Sequence, residues 1–246
     1  MTTAVGVLNL ILGFVFIQYG SLTLIEMRRN WPQMGFSHFG AAWVAMAFTC
    51  GAHNFVHGLH LLAAGGHAGA LDLITVAVAF PPCVAWFVLR LEAFGGGRGD
   101  RFIPGRPLRV LALPTLFGMY VTATGAAMIA GRVHSPTGLA AVVPNLLLIG
   151  IYSMIGYFLI RTQVANRTPL RGWSVSGLAL ALIFPMCALM HAVFAYYTLT
   201  GRYPVVIGVT VIDWLAVPAG TYFLWVVHSL YKGEFLDWNR TRAVAG

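Results

Sequence analysis

Seven stretches of this chain are long and apolar enough to read as membrane spans, at approximately 4–26, 39–64, 71–94, 108–131, 138–161, 173–200 and 204–231. That pattern constrains the fold more than any other feature. A helix needs about 20 apolar residues to cross a hydrocarbon core, and a chain in lipid must satisfy its own backbone hydrogen bonds. No period-two pattern of the barrel type occurs. The expected fold is therefore all-α, a polytopic membrane protein of seven transmembrane helices forming a single domain over residues 1–246.

The basic residues orient the bundle. Of 15 Lys and Arg, thirteen fall in the gaps after the first, third, fifth and seventh stretches or in the turn of a stretch that borders them: Arg28 and Arg29; Arg90, Arg98, Arg101, Arg106 and Arg109; Arg161, Arg167 and Arg171; Lys232, Arg240 and Arg242. Only Arg132 and Arg202 fall in the others. Translocating Lys or Arg is disfavoured, so the N-terminus is expected outside and the C-terminus inside, with residues 232–246 a short cytoplasmic tail.

Charge and cysteine usage remove other classes. A net charge of +8 in a soluble protein would suggest nucleic acid as a partner. Here only 9% of residues are charged and 59% are hydrophobic. The basic residues line loops in ones and twos, so the bilayer's anionic headgroups are their expected counter-ions and no nucleic-acid partner is implied. Cys50, Cys83 and Cys187 all lie inside apolar stretches, which reads as thiols in helices rather than a disulfide framework. The first stretch lacks the basic flank of a cleavable signal peptide. The expected location is the plasma membrane of a bacterium, as a multi-pass protein.

Polar residues inside the spans single out a site. His53, His57 and His60 recur at steps of four and three, so the three imidazoles share one helical face. Met46 and Cys50 continue it inward. His191 and Asp213 lie at similar depth in the sixth and seventh stretches, with Asn9, Asn145, Thr122 and Thr124 level with them and Asp72 opening the third on the same side. Ionisable groups in a span are costly and mark functional sites. Asp213 is the only acid deep in an apolar run, and His57 or His191 is its expected partner. The grouping predicts a polar pocket open to the outside, with His53, His57, His191, Asp213 and Asn145 handling a ligand or proton. His53, His57, His60 and His191 are the candidate metal ligands, for copper, zinc or haem iron. The cytoplasmic half carries few such groups before Glu26, Glu92 and His228.

Other signals are read structurally. Pro81, Pro82, Pro114, Pro144, Pro185 and Pro218 sit inside spans and are expected to kink them. Gly51, Gly58, Gly118 and Gly125 offer small faces for close helix contacts. Gly95–Gly99 lacks any phosphate-loop pattern and is expected to be a flexible loop.

The topology resembles that of microbial rhodopsins, but their Schiff-base lysine is missing, since the only Lys is Lys232 at the cytoplasmic end of the last span. His53 or His57 with His191 resembles the facing histidines of di-haem membrane cytochromes, a resemblance that also implies haem. Three classes of function remain. The first is a sensor or receptor-like, ligand-binding membrane subunit, which with such short loops needs a protein partner or an oligomer to pass a signal on. The second is a metal- or haem-binding redox subunit. The third is a transporter or an accessory subunit of a membrane complex.

Overall fold

A computed structural model of the chain describes residues 1–103 and 136–234. It contains six α-helices: α1 (Thr2–Met34), α2 (His38–Ala63), α3 (Ala70–Phe94), α4 (Pro136–Asn166), α5 (Val175–Leu199) and α6 (Ile207–Lys232). The expected span at 108–131, with Pro114, Gly118, Thr122, Thr124 and Gly125, lies outside the described residues, as do His134 and the tail beyond residue 234.

Five of the six helices, α1 and α3 to α6, are long and apolar enough to cross a membrane. The chain is therefore a helical, multi-pass membrane protein by the length and composition of its helices. Although 26 residues long, α2 is not among the five, because its histidines and Asn54 lower its hydropathy. Those residues are nonetheless turned inward: His53, Asn54 and His57 are all buried. At the other extreme α1 runs eight residues past its expected end at 26, since Met27, Arg28 and Arg29 are good helix formers that extend a helix beyond its apolar part.

The packing order is not the chain order. α1 packs on α2 and α3, α2 on α6, α6 on α4, α4 on α5, and α5 on α3. The described helices thus close a ring, with α6 inserted between α2 and α4. The α1–α2 seam is set by glycines spaced seven apart. A β-carbon on Gly13 would lie 2.8 Å from the Phe55 nitrogen and 2.9 Å from the Gly51 carbonyl oxygen, and one on Gly58 would lie 2.8 Å from the Gly6 carbonyl oxygen. Small residues let two backbones approach to van der Waals contact where lipid provides no hydrophobic drive.

One segment is held more firmly than expected. Strand β1 (Phe102–Ile103) pairs antiparallel with β2 (Trp173–Ser174), tying the glycine-rich loop after α3 to the start of α5. Asp100 reinforces the tie. Its carboxylate accepts from the Ser174 hydroxyl at 2.6 Å and from the Ser176 N–H at 2.9 Å. Partial burial works against its ionisation, but these hydrogen bonds prevail and hold the carboxyl below the usual range. Ser174 also caps α5 by accepting from the Gly177 N–H at 2.9 Å.

Candidate functional site

The site lies inside the ring. His53 and His57 come from α2, Asn145 from α4, His191 from α5 and Asp213 from α6. Asp213 and Asn145 are completely buried and the three histidines nearly so. Each side chain sits where its helix faces the interior. Tyr152, seven residues and two turns after Asn145, lines the same face of α4 and meets the His191 ring at 5.4 Å.

A single chain of hydrogen bonds joins four of these residues. His53 Nδ1 is 2.6 Å from Asp213 Oδ1. Asn145 Nδ2 donates to Asp213 Oδ2 at 2.8 Å and to the Ala141 carbonyl at 2.8 Å. Asn145 Oδ1 is 2.6 Å from His191 Nδ1. The directions follow from what each group can do. An ionised carboxylate only accepts, so His53 Nδ1 carries a proton. Both Asn145 amide hydrogens are used, so its oxygen accepts and His191 Nδ1 carries a proton as well. With both Nδ1 positions committed as donors, each neutral imidazole keeps its lone pair on Nε2. A carboxylate or amide oxygen holding one ring nitrogen so that the other can bind is the arrangement that orients histidine towards metals.

The expectation that Asp213 pairs with His57 or His191 is corrected. Its direct imidazole partner is His53, and it reaches His191 only through Asn145. Among the described residues, His53, His191 and Asp213 form the one group of ligand-type side chains compact enough for an ion, with one donor atom from each lying within 4.8 Å of the others. An ion with bonds of about 2.1 Å separates its donors by at most about 4.2 Å. In a tetrahedral site the donors stand about 3.4 Å apart, so the group has to close by up to about 1.4 Å around an ion.

The remaining predicted residues surround this group without joining it. The His57 ring lies 6.2 Å from His53, edge-on to Phe194 at 5.5 Å and to Tyr203 at 5.1 Å. His60 is only part-buried, one turn further along α2 beside Gly66 of the following turn. A cavity of about 20 Å³, room for about one water molecule, adjoins the group and is lined by Asn9, His53, His57, Asp72, Thr75 and Met190 among others. The sulfur stripe is core. Met46 is buried in the main apolar cluster, and the Cys50 thiol lies 3.4 Å from the Tyr152 hydroxyl.

Below the site the described helices are packed together by aromatic rings. Trp43 and Trp86 meet at 4.6 Å, Tyr19 and Trp86 at 4.6 Å, and Phe184 stacks on Phe223 at 5.2 Å. Trp43 lies ten residues, about 15 Å of helix, from His53. Past this layer lies the end of the bundle at which the sequence reading placed Glu26. Glu26 pairs with Arg90 there, at the wall of a cavity of about 250 Å³.

Sequence reasoning singled out His53, His57, Asn145, His191 and Asp213 but passed over Tyr152 and Phe194. The step of seven from Asn145 to Tyr152 was the available signal. No family model, no curated protein and no solved structure matches this chain.

Proposed function

We propose that this protein binds a single transition-metal ion, of the zinc or copper class, in an outward-facing pocket formed by His53, His191 and Asp213. On this reading it is a receptor-like, ligand-binding subunit of the plasma membrane of a bacterium and works with a protein partner. It has seven spans, with the N-terminus outside and the cytoplasmic loops carrying the basic residues. The orientation rests on the thirteen-to-two distribution of Lys and Arg. The need for a partner rests on the loops, since α1 and α2 are joined by residues 35–37 alone and α2 and α3 by residues 64–69.

The observation that carries the metal reading is the hydrogen-bond chain through Asp213 and Asn145, which commits both Nδ1 positions and leaves the Nε2 lone pairs of His53 and His191 free for an ion, with Asp213 orienting His53 from behind. Two neutral imidazole nitrogens suit a borderline divalent cation, whose charge also compensates the buried carboxylate behind His53. Two imidazole donors leave further positions for water or a ligand. The same spacing favours an ion over haem, because the His53 and His191 rings are 5.0 Å apart and leave no slot for a macrocycle between them. The aromatic layer below the site favours a binding subunit over a transporter.

The test is a titration of metal-stripped, purified protein with zinc against a chromophoric chelator. One equivalent should bind, and His191→Gln should weaken it by at least 100-fold. Because an imidazole must be deprotonated to bind a metal, acid should release the ion. No stoichiometric binding of zinc or copper, or identical binding in the variant, would remove the reading.

A further inference from the structure

The end of the bundle away from the His/Asp cluster combines a polar cavity with an apolar groove. The cavity, of about 250 Å³, lies between α1, α2 and α3. Two of its lining residues are the ion pair Glu26 and Arg90, whose side chains keep 26% and 31% of their surface exposed. Neither charge is saturated by the other: a guanidinium has five donors and a carboxylate about four acceptor sites. The Arg90 guanidinium also lies 5.9 Å from the Trp86 ring. Trp43, on the same wall, is 2% exposed, and its indole N–H is buried with no acceptor. A buried donor left unmade is costly, and an acceptor brought to this wall by a ligand would relieve it.

The groove, of about 560 Å³, runs along the outward side of the α1–α2 seam and is lined by Leu24, Trp31, Phe36 and Val44, with Arg28 at its edge. Leu24 and Trp31 are about half exposed, which on a membrane helix means exposed to lipid or to the interface where Trp is enriched. Met27 lines both spaces. Its side chain lies against Gly40, where an added β-carbon would come 2.7 Å from the sulfur. An unbranched, flexible methionine is thus the wall between a charged cavity and a hydrocarbon groove.

We propose that this end of the bundle is a binding site for a zwitterionic amphiphile, with its ammonium and phosphate in the cavity and a hydrocarbon chain in the groove. The phosphate takes Arg90 and the Trp43 N–H. The ammonium takes Glu26 and the aromatic faces beside it. A ligand with only one charge would compete with the internal ion pair and leave its other half unpaired, whereas a zwitterion serves both halves. The site uses no residue of the metal cluster and stands or falls separately from it.

The test uses the purified protein in detergent and three probes: a dihexanoyl phosphatidylethanolamine, the phosphatidylglycerol of the same chain length, and glycerophosphoethanolamine, which has the headgroup but no chains. Binding is read from tryptophan fluorescence and native mass spectrometry. The ethanolamine lipid should bind at least 10-fold more tightly than either of the others. Glu26→Gln should reduce its advantage over the glycerol lipid at least 5-fold, and Arg90→Gln should weaken both lipids. Equal affinity of the two lipids would mean non-selective annular lipid and overturn the proposal. So would glycerophosphoethanolamine binding as tightly as the lipid, which would make the ligand a soluble zwitterion. If the charge variants do not fold, Arg90→Lys decides, since it keeps a cation beside Glu26 and removes the guanidinium's further donors. A several-fold weakening supports the site, and unchanged binding overturns it.

Discussion

Asp213→Asn is the sharpest probe of the buried network, because the change conserves shape and inverts polarity. The carboxylate accepts two hydrogen bonds, from His53 and Asn145, and the new amide has one accepting end and one donating end. If its oxygen faces Asn145, its NH₂ meets His53 Nδ1, and the His53 proton must move to Nε2. If its oxygen faces His53, its NH₂ meets the Asn145 NH₂. Asn145 must then turn over, lose Ala141 and drive the His191 proton to Nε2. Either way one of the two free imidazole lone pairs disappears, together with the negative charge. Removing an orienting partner alone costs metal sites roughly 10- to 100-fold, and here a ligand and a charge go with it. We expect zinc affinity to fall by at least about 100-fold, about 2.7 kcal/mol. Stability should fall by about 2 kcal/mol, the scale of a charge-assisted hydrogen bond. That is less than the 3–5 kcal/mol typical of a stranded buried charge, because here no charge is stranded. The chelator competition reads the first quantity and thermal melting in detergent the second. Glu92→Gln, which breaks only the surface pair to Arg101 at 2.9 Å, is the control. Zinc affinity within threefold of wild type in the Asp213 variant would refute the tautomer argument.

Three further outcomes are expected. Gly13→Ala should destabilise the bundle by about 1–3 kcal/mol, because its β-carbon meets backbone on α2 that cannot yield. Gly150→Ala, with nothing within 4 Å, should be neutral or stabilising by up to about 1 kcal/mol, and equal melting of the two variants would contradict the close seam. Asp100 has a folded pKa below its unfolded one, so the stability it adds is fully present above the ordinary aspartate value of about 3.9 and fades as pH falls through the lower folded value. Limited proteolysis after Phe94 should accelerate over that acidic range in the wild type, whereas Asp100→Asn should be cut faster already at pH 7. Single cysteines in a thiol-free background should place Arg98 in the cytoplasm and Gly65 outside, and labelling of both from one side would reverse the proposed topology.

What could be read from the chain alone was whatever depends on one helix at a time. Apolar length identified the spans in α1 and α3 to α6, and the steps of four and three put His53 and His57 on one face of α2, which is buried in the bundle. Depth along each span brought His191, Asn145 and Asp213 level with them, because a membrane sets a common ruler of 1.5 Å per residue. What needed the tertiary structure was every relation between helices. The order of the ring places α6 between α2 and α4, and only that makes His53 the partner of Asp213 and turns Asn145 into the link to His191. Spacing within a helix carries no information about which helix stands beside it. The same limit hid the opposite end. Glu26 and Arg90 are 64 positions apart and read as ordinary boundary charges until α1 and α3 pack together and enclose a cavity between them.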